Sequence, residues 1–216
     1  IYFIPKALKK VDGAGNQVEL ADGSKLAYDF LILATGPKPA FDEIEGLDPA
    51  KGYVHSVVHT EEAQKTYTAY QNFVKNPGPI VIGAVQNSAI IGPVYEFAFL
   101  VDADLRRRNI RDRVPITLIT PEPYVGHLGL GLESDTRRLL EAALRDRNIT
   151  FLTNIKTKKI ESGLVHIAVC DAAGKETRIH EVNFAYAVYW AAFRGIHALR
   201  DSAGLTDERG FVTTDE

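Results

Sequence analysis

Apolar residues fall into unbroken runs in the middle of the chain and into alternating or four-apart patterns on either side. Ile80-Val81-Ile82 is closed by Gly83, the form of a buried parallel strand entering a strand-helix-strand unit. Over residues 93–108, Val94, Phe97, Ala98, Val101 and Leu105 share one helical face. A second strand is predicted over 116–120, and a helix over 134–146 with Leu139, Leu140, Ala143 and Leu144 inward. Residues 149–152 read as a third strand, and 155–179 as a hairpin ribbon turning at Asp171-Ala-Ala-Gly174. Residues 184–190 are apolar and aromatic enough for a returning buried strand. Strands alternating with helices predict an α/β fold with a parallel sheet.

The flanks read differently. Two strands within 1–20 are joined by Asp12-Gly-Ala-Gly-Asn16, and Val18-Glu-Leu-Ala-Asp-Gly23 adds a second tight turn, so a small antiparallel meander is expected. Leu26-Ala-Tyr-Asp-Phe-Leu-Ile-Leu-Ala34 predicts a buried strand that stops at Thr35-Gly36-Pro37. There glycine lets backbone approach a large ligand without a Cβ in the way, and proline prevents the strand from continuing. Residues 39–52 are rich in proline, glycine and acid and read as a linker. Thr60 is placed to cap a helix through about Lys75, with Glu61 and Glu62 in its first turn.

Composition removes whole classes of function. With 216 residues, 25% charged and 45% hydrophobic, the chain can bury a respectable core as one large or two small domains. A net charge of -3 gives no electrostatic reason for a nucleic-acid partner, and the basic cluster of residues 106–113 reads as the solvated end of a helix. The single cysteine, Cys170, excludes an intrachain disulfide framework and a CxxC redox pair. No apolar run approaches the about 18 residues of a membrane span. Methionine is absent even from position 1, which reads as a sign of an excised, edited or incompletely recorded segment.

The candidate chemistry lies where open α/β sheets place their sites, beyond the carboxyl ends of the strands. A nicotinamide site wants G-x-G-x-x-G, whose glycines admit a pyrophosphate to a helix amino terminus. Here Gly83-Ala-Val-Gln-Asn-Ser-Ala-Ile-Ile-Gly92 puts Val85 at the second glycine and makes the loop too long. The broken fingerprint speaks against NAD(H), and it weakens Glu122 as a ribose acceptor. His127 follows the second strand of the unit; it either relays protons or holds its loop. Glu96, early in the helix, is either a proton acceptor or a partner of the helix dipole. His55 and His59 have no Cys or carboxylate at metal-ligand spacing, so no metal is expected.

The succession Gly83-Ala-Val, Ser88-Ala-Ile-Ile-Gly-Pro-Val-Tyr-Glu-Phe-Ala98 and Glu122-Pro-Tyr-Val-Gly-His-Leu-Gly129 resembles the sulfide:quinone oxidoreductase branch of the flavin-dependent pyridine nucleotide-disulfide oxidoreductases. Tyr28-Asp-Phe-Leu-Ile-Leu-Ala-Thr-Gly36 is similar to the strand that such proteins bring to their flavin. The resemblance implies a three-layer FAD/NAD(P)-binding (Rossmann-like) fold plus an antiparallel meander and ribbon. It implies a partial flavin-binding domain at 1–40, an NAD(P)-binding-like domain at 41–200 and a return segment at 201–216. Ala34, Thr35, Gly36 and Pro37 would lie beside FAD in the parent protein, with His127 and Glu96 as the surviving catalytic positions. Electrons would pass from a small reductant through FAD to a quinone, in a cytoplasmic protein, peripheral to the inner membrane through regions outside this chain and open to oligomerisation.

Two departures matter. The places of the branch's sulfur-carrying cysteines fall on Ile90 and Val58, neither of which is a nucleophile. The chain also lacks the amino-terminal glycine-rich strand and the carboxyl-terminal flavin contact, so alone it is expected to hold FAD weakly or not at all and to be inactive. A non-pumping NADH:quinone dehydrogenase and a degenerate, non-catalytic interaction domain stay open as alternatives.

Overall fold

The computed structural model describes residues 1–129, 135–202 and 204–214. The chain divides into two compact units, one formed by Ile1–Ala40 with Phe193–Glu216 and the other by Phe41–Ala192.

In the first unit, β1 (Leu8–Asp12), β2 (Gln17–Leu20) and β3 (Lys25–Ala27) form an antiparallel meander in that order. The Asp12 carboxylate accepts the Gly15 amide in the first turn, and the Asp22 carboxylate accepts the Ser24 amide in the second, the local bonds that make Asp a turn residue. The expected strand over 26–34 does not form beyond Ala27. Phe30 is 95% exposed and Ile32 is 90% exposed. A strand needs a neighbour for its backbone groups; the Tyr28 amide still donates to the Asn16 carbonyl, and beyond it no strand among the described residues pairs with 29–37. The next strand is β4 (Lys38–Pro39).

The second unit opens with a segment that is packed instead of serving as a free linker. Ile44 and Leu47 are buried, and Asp48 caps a short 3-10 turn over Pro49–Lys51. Helix α1 (Thr60–Phe73) begins one residue earlier than a Thr60 cap requires. Its N-cap is His59, which makes no side-chain cap bond.

The strands β5 (Ile80–Ala84), β6 (Ile116–Ile119), β7 (Ile149–Leu152) and β11 (Tyr186–Trp190) make a parallel sheet in the order β11-β5-β6-β7. Helix α2 (Gly92–Arg107) joins β5 to β6, and α3 (Asp135–Asp146) lies between β6 and β7. The expected start of α3 at Ser134 lies outside the described residues. Ile80, Ile82 and Ala84 of β5 pack in one core with Phe73 of α1, Val94, Ala98, Val101 and Leu105 of α2, and Leu144 of α3. The helices therefore share one face of the sheet. Leu139 is not inward: it is 70% exposed, because Leu140 and Leu144 stand four apart on the packed stripe and Leu139 is one residue, about 100°, off it.

The third layer is an antiparallel ribbon of β8 (Ile155–Glu161), β9 (Leu164–Cys170) and β10 (Glu176–Asn183). It has three strands where the pattern predicts a hairpin, because Ser162-Gly163 adds a turn, with Gly163 at φ +76°. Tyr189, on the sheet face away from the helices, lies beside Thr157 of this ribbon. Tyr189 also explains Gly83, its partner in β5. A Cβ on Gly83 would come within 2.4 Å of the Tyr189 ring.

At the other end of the sheet, buried Arg111 ties the helix ends together. Its Nε donates to Asp102 at 2.6 Å, and its other nitrogens donate to the carbonyls of Val114, Arg147 and Asn148. Burial alone would raise the Asp102 pKa, but hydrogen bonds from Arg106 and Arg111 outweigh it and hold the carboxyl below its usual range. In the basic cluster of residues 106–113, Arg106, Arg107, Arg108 and Arg111 carry such pairs. Strand β12 (Phe193–Arg194), which pairs with β4, and α4 (His197–Arg200) return the chain to the first unit. There the Ser202 hydroxyl accepts the Val11 amide.

Candidate functional site

The loops that leave β5 and β6 at their carboxyl ends enclose a recess of about 480 Å³ in the second unit. One wall is residues 88–92, and the other includes Pro121, Glu122 and residues 127–129. The first loop is pinned from below. The Gln86 amide nitrogen donates to the Thr157 carbonyl and its oxygen accepts the Thr157 amide, both at 3.1 Å, so a side chain takes the place of a strand partner. Asn87 then turns through φ +62°.

The second loop is organised by Glu122, which is 4% exposed. One carboxyl oxygen accepts the hydroxyls of Tyr95 and Thr120. The other accepts the Leu128 amide at 2.6 Å. The Tyr95 oxygen in turn accepts the Gly126 amide at 3.0 Å. Burial first, and then the bond to Glu122, push the Tyr95 pKa far up, so this phenol stays a donor. Leu128 has φ +50° between Gly126 at +81° and Gly129 at +74°. A leucine in the left-handed region is strained, and its bond to Glu122 holds it there.

His127 lines the recess. Its Nδ1 accepts the Gly129 amide at 3.2 Å, which puts the ring proton on Nε2. Its ring meets Tyr124 edge-on at 5.0 Å, and the Arg137 guanidinium lies over that tyrosine at 5.1 Å.

The other sequence candidates fall in several places. Glu96 is exposed on α2 and does not line the recess, whereas Glu122, expected as a weak ribose acceptor, has its oxygens taken up by the loop. Ile90 is in the recess wall, while Val58 packs against the helix-side core; among the described residues none that lines the recess carries a thiol. Cys170 ends β9. Ala34, Thr35, Gly36 and Pro37 are in the first unit, all exposed. Gly36 has φ +66° and nothing within 4 Å of the position its Cβ would take, so the backbone there is bare and conformationally reserved for glycine. Tyr95, Ser88 and Gln86 were missed as site residues. The first two stand inside the motif 88–98, but only their tertiary contacts give them roles.

Among the described residues no group of three His, Cys, Asp or Glu could hold a metal, and no helix is long and apolar enough to cross a membrane.

A parallel sheet with helices on one face, a ribbon on the other and a recess at its carboxyl edge defines the class, a Rossmann-like α/β domain. The family model for pyridine nucleotide-disulphide oxidoreductases matches residues 3–216, and the chain belongs to that family. It is 36% identical over 195 residues to a sulfide-quinone reductase of Aquifex aeolicus, covering 90% of this chain and 43% of the relative. The solved sulfide:quinone oxidoreductase of the same bacterium superposes with a TM-score of 0.88 at 34% identity, over 98% of this chain and 48% of that one. NDH2 of Plasmodium falciparum, solved with NADH, has a TM-score of 0.70 at 14% identity over 96% of this chain and 44% of that chain, a likeness of fold alone. The chain thus spans about half the length of the relatives it matches.

Proposed function

We propose that this chain is the central part of a flavin-dependent oxidoreductase that passes electrons from a small reductant through FAD to a quinone. The observation that carries the reading is the likeness to the Aquifex sulfide:quinone oxidoreductase, 34% identical over 98% of the chain.

The residues present fit the flavin. Gly36 offers bare backbone in a left-handed turn with open space before it, and Ala34, Thr35 and Pro37 flank it, exposed; these four would hold one side of the cofactor. Bound FAD supplies the capacity to take two electrons and release them. Neighbouring strands from the rest of the longer protein cover Phe30 and Ile32, whose apolar side chains are bare in this chain. His127 carries a proton on Nε2 and serves as the proton carrier of the second unit, taking up a second proton at Nδ1 when that nitrogen leaves the Gly129 amide and giving one up from Nε2. Glu96, exposed on α2, is assigned to the helix dipole.

The reductant is handled without covalent capture, since Ile90 and Val58 stand where the branch has its cysteines and a thiolate is the group that would attack. Val85 and the saturated Glu122 speak against NAD(H) as that reductant.

The test uses the full-length protein. It should purify with flavin, NADH should leave the flavin oxidised, and a quinone should reoxidise flavin that has been reduced chemically. Bleaching by NADH would replace the reading with an NADH dehydrogenase, and a protein with no flavin would make it a non-catalytic domain.

A further inference from the structure

In the wall of the recess at the carboxyl edge of the sheet, Ser88 is 9% exposed, and its hydroxyl is shielded from solvent with no hydrogen-bond partner. Buried hydroxyls are almost always paired, and an idle one calls for an explanation. His127 shares the recess; with Nδ1 occupied by the Gly129 amide, the donor it offers is Nε2–H. The carboxyl oxygens of Glu122 are taken by Tyr95, Thr120 and Leu128. The rest of the described wall is mainly apolar, with Ile90, Ile91 and Leu128, and among the described residues no Lys or Arg lines it.

Two donors, no cation and one acidic side chain suit an uncharged acceptor and disfavour an anion. Burying an anion without a countercharge is costly, so a nucleotide pyrophosphate does not match this wall. A volume of about 480 Å³ is within the range of small-molecule pockets.

We propose that the recess binds an uncharged, mainly apolar molecule through a carbonyl oxygen, with Ser88 and His127 as its hydrogen-bond donors and Ile90, Ile91 and Leu128 against its hydrocarbon part. The Ser88 hydroxyl reaches the carbonyl by turning about Cα–Cβ from one staggered position to another, with the backbone in place. The site belongs to the second unit alone, so it goes beyond the flavin reading and is tested without flavin.

Acetophenone is the probe, with benzoate of similar size as its anionic counterpart and inorganic phosphate as a second anion. Titration followed by calorimetry and by the His127 ring resonances should give saturable acetophenone binding, with benzoate and phosphate weaker. Ser88→Ala should weaken acetophenone about 3- to 10-fold, the equivalent of one hydrogen bond. Its thermal midpoint should stay level or rise, because the deleted hydroxyl had no partner. Ile90→Trp should abolish binding by filling the recess. The proposal is overturned if acetophenone does not saturate, if either anion binds more tightly, if Ile90→Trp binds like the wild type, or if Ser88→Ala binds unchanged. A Ser88→Ala variant that melts several degrees lower would also overturn it, by revealing a structural bond.

Discussion

Strand β5 and the run over residues 28–34 carry the same signal, a string of aliphatic and aromatic residues, and end differently. Ile80, Val81 and Ile82 are fully buried between β11 and β6, while Phe30 and Ile32 face solvent. The difference is not in the residues but in what the chain supplies around them. β5 has both hydrogen-bonding neighbours, a helical layer and a ribbon in the same 152-residue unit of Phe41–Ala192, and among the described residues no strand pairs with the other run.

The contrast is sharpest where the second unit is most self-contained. Arg111→Ala removes the buried one of the two arginines bonded to Asp102 and the donor to three carbonyls, and should cost about 3–5 kcal/mol in urea unfolding; a loss under 1 kcal/mol would mean that the helix ends are held otherwise. Gly83→Ala drives a methyl into the Tyr189 ring and should cost about 1–3 kcal/mol. Combining it with Tyr189→Ala should cost less than the sum of the two single changes, and simple additivity would remove the packing explanation.

At the recess, Tyr95→Phe removes one donor to Glu122 and should cost about 0.5–1.5 kcal/mol, with faster hydrogen exchange at the Leu128 amide. Unchanged exchange would separate the loop from this network. His55 tests the unit through pH. It stacks on Tyr186 at 4.8 Å, and burial lowers its pKa below the ordinary 6.5. The unfolded chain therefore takes up the proton first as pH falls. Stability should be intact above about 6.5, fall through the window down to the lowered value, and level off below it. His55→Phe should flatten that slope, and an unaltered slope would assign it to other groups. Smallest of all, Phe30→Ser with Ile32→Ser should change the stability of this chain by under about 0.5 kcal/mol. The same pair should be strongly destabilising in the longer protein.

Much of the second unit was legible in the sequence, because both partners of its main strand and helix contacts lie in the chain. The burial of β5, the return of the chain as buried β11 and the apolar stripe of α2 follow from runs and spacing; that β11 lies beside β5 does not. The sequence reading failed at residues 26–34 because an apolar run reports a preference for burial, not the presence of a neighbour. It failed at Leu139 because adjacent leucines on a helix face different ways, and at Thr60 because His59 takes the cap position, which moves the helix start by one residue. His127 was readable from its loop. The assignment of Glu122 to Tyr95 and Leu128 was not, since residues 27 apart become partners only when α2 docks beside β6.

Flavin stoichiometry in the longer protein is the most direct measurement, comparing the native residue at position 36 with Gly36→Val. The account predicts about one flavin per chain for the native protein and a large loss on substitution, at a thermal midpoint that still reports a folded protein. Full flavin occupancy with valine at position 36 would contradict it.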